Sequence, residues 1–449
     1  MKVLLISANT ATDPFPVYPL GLDYVAGAIA TAHEVRILDL NQVPEAGALE
    51  AEIREFNPQM VGISLRNIDN TDALHPVAFI DSYGPLMQRV RRVCKAPIVL
   101  GGSGFTIFPE AAMQILEADY GIVGEGERLR LLLAALAQGE DPARIPGVIT
   151  PGDGVSIPPP WTQPLNRHFD PQQPHVAYYL ENGGMLNLQT KRGCPFRCIY
   201  CTYPYIEGRT MRLLEPASIA RTALQLQAGG ARYFFVADSA FNAHTNHSLA
   251  VARAFKKAGL SIPWGAFFAP TRLPEDYFKV MADCGLRHVE FGTESLCDPV
   301  LATYGKPFDV RQVFQAHKAA VAAGLYVAHY FLLGGPGENG QTLTETLCNI
   351  DKLERSVLFI FCGMRIYPQT ALYKLALAQG QIRPDQDLTH PVYYHSPSID
   401  SRVVIRQVNE HARGRVNWVM GAGGPEEAKA IAKMYKRGRF GPLWEYLIR

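Results

Sequence analysis

The chain has 449 residues, enough for two to three domains, and 47% of them are apolar against 19% charged, a composition with ample material for cores and little sign of disorder. Lys and Arg number 43 against 42 Asp and Glu, so the formal net charge of +1 argues against an electrostatic nucleic-acid binder, which carries a basic surplus. No apolar run reaches the roughly 18 residues of a membrane span, and 8 cysteines are too sparse for a disulfide scaffold, so a cytoplasmic protein is expected.

The opening segment MKVLLISANTATDPF reads as a strand and loop rather than a signal peptide. Residues 1–140 alternate β-branched runs at Lys2–Ser7, Val35–Asp39, Met60–Leu65, Pro97–Gly101 and Tyr120–Val123 with helical patterns. Those patterns lie at Gly21–Thr31, Glu45–Phe56, Pro85–Val93, Phe108–Glu117 and Arg128–Ala137. This rhythm predicts βαβ units in a flavodoxin-like, doubly wound α/β domain, with its ligand beyond the carboxyl ends of the strands. A Pro-rich stretch over 141–185, with Pro158, Pro159 and Pro160, predicts a linker of polyproline character.

Over 186–380 the units lengthen. Strands are expected at Leu186–Thr190, Tyr233–Ala237, Pro263–Phe268, His288–Phe291, Tyr326–Leu333 and Leu358–Ile366. Helices are expected at Pro216–Ala228, His247–Lys257, Pro274–Asp283, Arg311–Ala323 and Leu343–Leu353. Six βα units predict a partial (β/α)6 TIM barrel with its chemistry at the carboxyl ends of the strands. Phe267, Phe268, His329 and Phe331 are placed to line it, core packing being the alternative for each. Residues 381–449 form a less regular, α-rich C-terminal segment expected to cover the barrel, with a basic helix at Glu426–Arg437 and aromatic Trp418 and Trp444.

Three of the eight cysteines, Cys194, Cys198 and Cys201, fall within eight residues directly after the first barrel strand. At the chain's cysteine frequency, roughly 0.0025 chance matches to this spacing are expected. A structural zinc site wants four closed ligands, and no fourth Cys or His is near; His175 is the nearest upstream. Three thiolates on one loop suit a [4Fe–4S] cluster with one iron open to another ligand.

On these residues the chain resembles the radical S-adenosylmethionine (SAM) enzymes, whose C-x3-C-x2-C signature carries an aromatic residue where Tyr200 stands. The resemblance extends over roughly 186–380. It implies SAM contacts from Asp238 and Ser239 after the second barrel strand, and from Glu294 and Ser295 at the fourth. It also implies contacts from the turn Gly334-Gly335-Pro336 after the fifth strand and from Arg365 at the sixth. Taken singly, the glycines read equally as a turn and the carboxylates as helix starts. Their order behind the cysteine loop is what makes the combination specific.

In the N-terminal domain no G-x-G-x-x-G opens the first helix, which argues against a dinucleotide. Ser64-Leu65 and Gly101-Gly102-Ser103-Gly104 instead resemble the Ser-x-Leu and Gly-Gly elements of cobalamin-binding domains, although Ser64 and Leu65 are adjacent. The resemblance implies cobalamin contacts from Thr10, Tyr18, Arg66, Gly124 and Glu125 as well, against the plain alternative of ordinary βα turns. The loop over 7–20 holds no His, so cobalt would bind without a His ligand.

The family so resembled is the cobalamin-dependent radical SAM enzymes, with a [4Fe–4S] cluster, SAM and cobalamin as cofactors. It implies a methyltransferase that moves methyl from cobalamin to an unactivated carbon of a small-molecule or lipid substrate, after hydrogen abstraction by a 5′-deoxyadenosyl radical. An external electron donor such as flavodoxin or ferredoxin is implied too. Rival readings are a cyclase, oxidase or rearrangement catalyst using the same cofactors, or a cobalamin sensor with a structural cluster. A methylthiotransferase is disfavoured, since that group needs a second cysteine triad and residues 1–190 hold only Cys94. Of the remaining cysteines only Cys362, near Arg365, merits a functional test. No catalytic acid or base is identifiable from sequence.

Overall fold

In a computed structural model of the chain, all residues except 13–14, 44–46, 422 and 449 are described. Glu45, where the second helix was expected to begin, therefore lies outside the described residues. The first strands are β1 (Lys2–Ser7), β2 (Glu34–Asp39), β3 (Met60–Ser64), β4 (Ile98–Gly101), β5 (Tyr120–Ile122) and β6 (Val148–Ile149). They pair in the order β2-β1-β3-β4-β5-β6, parallel except for β6. β1 is an interior strand, and its run Val3–Ile6 is buried on both faces, as a covered parallel strand requires. The order reverses between β1 and β3, which opens a crevice at their carboxyl ends.

Three features depart from the expected boundaries. The first sheet continues past residue 140 into β6. Helix Ile80–Val93 begins five residues before Pro85, because Ile80 and Tyr83 bury on the first core and offset the hydrogen bond that Pro85 cannot donate. Within 141–185 a helix forms over Pro174–Glu181. The preceding strap lies so close to helix Leu20–Ile29 that a Cβ on Gly27 would sit 2.0 Å from the Asn166 carbonyl oxygen. Arg167 in that strap donates to the Asp23 carboxylate at 2.8 Å and to the Asn187 carbonyl at 2.8 Å.

The later strands are β7 (Met185–Leu188), a short antiparallel pair β8 (Lys191–Arg192) and β9 (Arg212–Leu213), then β10 (Tyr233–Val236), β11 (Trp264–Phe268) and β12 (Leu286–Glu294). β13 (Tyr326–Leu333) and β14 (Ser356–Cys362) follow, then a second antiparallel pair, β15 (Met364–Arg365) and β16 (Tyr393–Tyr394), and finally β17 (Trp418–Met420). β7, β10, β11, β12, β13, β14 and β17 form one wholly parallel sheet in that order. The expected sixth strand breaks at Gly363, whose φ of 113° turns the chain from β14 into β15.

Alternation along these strands sorts the barrel. Phe268, Phe291 and Val327 face the helices in one core, whereas Ala328, Val357, Phe359 and Val419 pack inside with Trp444. The C-terminal segment does more than cover the carboxyl ends. It supplies β17, and then fills the gap between the edge strands with helix Pro425–Lys436 and the turn Trp444–Leu447. Gly441 donates to the Gly183 carbonyl at 2.9 Å and packs on Tyr233, both at the amino end of the barrel, so this tail forms its floor. No helix among the described residues is long and apolar enough to cross a membrane.

Candidate active site

One cavity of about 950 Å³ runs from the carboxyl edge of the first sheet into the barrel. On the first-sheet side it is lined by Tyr18, Ser64, Arg66, Gly101, Gly102, Ser103, Gly124 and Glu125. Gly101 and Gly102 are glycines for different reasons. A Cβ on Gly101 would meet nothing nearer than 3.9 Å, so its backbone face is open to a ligand. At Gly102, φ is 99° and a Cβ would lie 2.7 Å from the Leu65 carbonyl oxygen, so the fold itself needs glycine there. Gly104 likewise packs on that oxygen, with a Cβ distance of 2.8 Å. Leu65 is buried in the core, and Thr10 is exposed outside the cavity.

The polar groups on this side divide into committed and free. Tyr18 donates its hydroxyl to Asp23 at 2.8 Å and stacks on His175, so that histidine has a structural neighbour far from the cysteines. Ser103 donates to the Arg66 carbonyl at 2.7 Å. The Glu125 carboxylate accepts from Arg192 and Arg212, each at 2.8 Å, and Glu127 accepts from Arg192 at 2.6 Å. These bonds tie the turn after β5 to the β8–β9 pair beside the cysteine loop, so Glu125 acts first as a clamp between the two sheets. Burial pulls the Arg66 guanidinium below its usual range, against the opposing pull of Tyr179, Tyr83 and Tyr203. A cation on the cavity wall that forms no ion pair among the described residues suits an anionic or amide-rich ligand.

The cysteine loop enters through Gly193, whose φ is 87° and where a Cβ would lie 2.3 Å from the Thr210 carbonyl oxygen. Burial pushes the Cys201 thiol up to about 12 and raises Cys198 as well, with the Lys306 ammonium acting against the Cys198 shift. Ligation would therefore release protons from buried thiols. Among the described residues no three His, Cys, Asp or Glu side chains converge as a single ion would demand.

Tyr200 and Glu294 are brought together beside this loop. The Tyr200 hydroxyl donates to Glu294 Oε1 at 2.7 Å, and Lys306 donates to the same oxygen at 3.0 Å. Glu294 has φ of 65°, an unusual strain for a non-glycine residue that turns its side chain to this cluster. Lys306 carried no sequence signal, because only the fold brings the loop after helix Asp298–Thr303 to the cysteines.

The other expected SAM residues are engaged by the protein. Asp238 is buried and accepts from the Thr190 backbone at 2.8 Å and hydroxyl at 2.5 Å, with Lys191 at 4.0 Å. Ser239 meets Lys191 at 3.4 Å, and Ser295 shares a 3.1 Å bond with Thr346. Gly334 (φ 86°) donates to Glu338, while a Cβ on Gly335 would lie 2.3 Å from the Tyr304 hydroxyl; Pro336 beside them is buried. The Arg365 guanidinium pairs with Asp69 of the first domain at 2.7 Å and also bonds the Leu388 carbonyl at 2.6 Å. Cys362 is packed in the core, where burial raises its thiol to about 12.

Inside the barrel the cavity is lined by Phe235, Phe267, Tyr330, Phe359, Phe361 and Trp444, with Glu290 among them. Of the four residues expected to line it, Phe267 does. Phe268, His329 and Phe331 have the opposite parity and pack outward. Glu290 accepts from Trp444 Nε1 at 2.9 Å and from the Tyr330 hydroxyl at 2.8 Å. Burial raises its carboxyl to about 7.

A doubly wound domain whose strand ends face a parallel partial barrel across one cavity, with three thiols at the barrel's first loop, defines an enzyme that holds a large cofactor against an iron–sulfur site. Residues 188–347 match the Radical SAM superfamily and residues 6–133 match the B12 binding domain. The chain is a member of the cobalamin-dependent radical SAM enzymes. It is 24% identical to the tryptophan 2-C-methyltransferase of Streptomyces laurentii over 83% of this chain and 74% of that one. An uncharacterized methyltransferase of Pyrococcus horikoshii is 28% identical, over 85% and 84% of the two chains. The fold matches that of TsrM from Kitasatospora setae, a radical S-adenosylmethionine methyltransferase, with a TM-score of 0.85 at 20% identity, covering 99% and 97% of the chains.

Proposed function

We propose that this protein is a cobalamin-dependent radical SAM methyltransferase that places a methyl group on a carbon of a small-molecule substrate. The observation that carries the reading is the single cavity joining the open Gly101 edge to the interior of a barrel whose first loop bears three cysteines. When bound, cobalamin supplies a transferable methyl group, and the cluster with SAM supplies a carbon radical able to abstract hydrogen.

The chain's own residues divide the work. Cys194, Cys198 and Cys201 would hold the cluster. Tyr200, Glu294 and Lys306 form a buried acid–base patch beside that loop, and Lys306 would offer SAM a cation and Glu294 an acceptor. Asp238 and Ser239 reach the same end of the barrel from β10, and the Gly334–Pro336 turn would border the nucleoside. Gly101, Gly102, Ser103, Ser64 and Arg66 would face cobalamin. The aromatic walls exclude water, which a radical intermediate demands. Electrons would come from an external donor of the flavodoxin or ferredoxin kind.

The test is anaerobic reconstitution with iron, sulfide and cobalamin, followed by SAM and a reductant. Formation of S-adenosylhomocysteine dependent on cobalamin, with 5′-deoxyadenosine alongside, is the expected result. A protein that makes 5′-deoxyadenosine but no S-adenosylhomocysteine would be a cyclase or rearrangement catalyst instead.

A further inference from the structure

Glu290 sets a carboxylate into an aromatic floor. β12 reads His288-Val-Glu290-Phe, and Glu290 stands in register with Phe267 of β11, so both point into the barrel. The residue is 3% exposed and forms no ion pair among the described residues. Its two protein partners, Trp444 and Tyr330, are both donors, one on each oxygen. A carboxylate has about four acceptor positions, so two remain, and the residue lies on the cavity wall. Around it stand Phe235, Phe267, Phe359 and Phe361.

The cavity's cations lie elsewhere. Those lining it among the described residues are Arg66, on the first-sheet side, and Arg192, which is already held by Glu125 and Glu127. A phosphate or carboxylate brought to the floor would therefore meet Glu290 and aromatic rings with no counter-charge. A buried acid without a cation is costly unless a donor reaches it.

We propose that the substrate sits on this floor and is an apolar, ring-bearing compound that presents a nitrogen-bound hydrogen to the Glu290 carboxylate. This rests on the methyltransferase reading for its meaning as a substrate site, but the binding site itself stands on the cavity alone. Trp444 is then a positioning residue: delivered by the C-terminal tail, it fixes the carboxylate so that its free lone pairs face upward. The tail thereby contributes to specificity from below the barrel.

The experiment uses matched aromatic probes titrated into the cluster- and cobalamin-loaded protein by calorimetry: indole, which carries an N–H, and benzothiophene, which has the same shape without it. Indole should bind about ten-fold tighter, the worth of one hydrogen bond to a charged acceptor. In Glu290→Gln, which turns a donor toward the cavity, the ratio should fall to about one. Trp444→Phe keeps the acid but releases one of its oxygens, and should weaken the preference for indole without abolishing it, which guards against a Glu290 variant that folds poorly. Equal binding of the two probes by the unaltered protein, or no binding of either, overturns the proposal. Cobalamin-dependent formation of S-adenosylhomocysteine, measured on the same samples, separates the two claims. Discrimination without S-adenosylhomocysteine would sink the methyltransferase reading and leave the site, whereas S-adenosylhomocysteine without discrimination would sink the site.

Discussion

Arg365 offers the sharpest test of the site's geometry, because its motif points to SAM while its contacts point to the first domain. Its side chain is 4% exposed and that of Asp69 is 0% exposed, and they meet at 2.7 Å with the Tyr367 hydroxyl completing the carboxylate at 3.0 Å. Replacing Arg365 by Met leaves Asp69 buried with no cation, a loss of about 3–5 kcal/mol. For a unit of barrel size each kcal/mol lowers the melting temperature by about 2–4 °C, so Arg365→Met should melt about 6–20 °C lower. Replacing both partners, as Arg365→Met with Asp69→Leu, removes the stranded charge and should recover most of that loss. The assay is thermal denaturation of the cofactor-free protein, paired with equilibrium dialysis of SAM against the cluster-loaded protein. The double variant should bind SAM within a few-fold of the unaltered chain. If Arg365→Met melts normally yet loses SAM binding, the guanidinium serves SAM and the clamp argument is wrong.

Three further outcomes follow from the same geometry. Gly101→Ala should leave the melting temperature unchanged and weaken cobalamin uptake, read by absorbance after gel filtration. Gly102→Ala, forced into a left-handed φ against the Leu65 carbonyl, should lose about 1–2 kcal/mol or more of stability; equal behaviour of the two would refute the distinction. Ala at Cys194, Cys198 or Cys201 should abolish iron and sulfide incorporation, whereas Cys362→Ala should keep it, since Cys362 only fills the core. Glu290 binds its proton more tightly folded than unfolded, so the stability it permits is full below about pH 4.5 and is lost as pH rises through about 7. Glu290→Gln should therefore show a shallower fall in melting temperature from pH 5 to 8, though not a flat one, because buried Glu338 is raised to about 7 as well; an unchanged slope refutes the assignment.

The elements most legible in the sequence were those whose ends are set by local chemistry. Helix Pro216–Ala228 forms as expected because Pro216 opens it and the Glu215 carboxylate caps Ala217 and Ser218. Strand Tyr326–Leu333 is bracketed by Gly324 and Gly334, both at positive φ. By contrast β6 and β17 have two and three residues, and exist because a neighbouring strand offers its edge. No period can announce so short a run. The linker's helix at Pro174–Glu181 was masked by the proline-rich stretch before it, although Pro174 opens that helix.

The site divides along the same line. Three cysteines on one loop declare themselves, because cluster ligation is local. Charged groups do not, because their partners can be anywhere: Arg365 finds Asp69 across 296 positions and Glu125 finds Arg192 across 67. A motif can identify the residue while the fold commits its charge elsewhere. Glu290 is the instructive case, since its signal was present in the sequence. A lone acid between buried Val289 and Phe291, in the middle of the parallel sheet, has no route to solvent along the strand. Once Phe267 is taken as inward, the parallel register that pairs it with Glu290 turns the acid inward too. An inward carboxylate in an apolar barrel must then be satisfied by the floor beneath it or by what lies above, and Trp444 and Tyr330 fill only half of its acceptor positions.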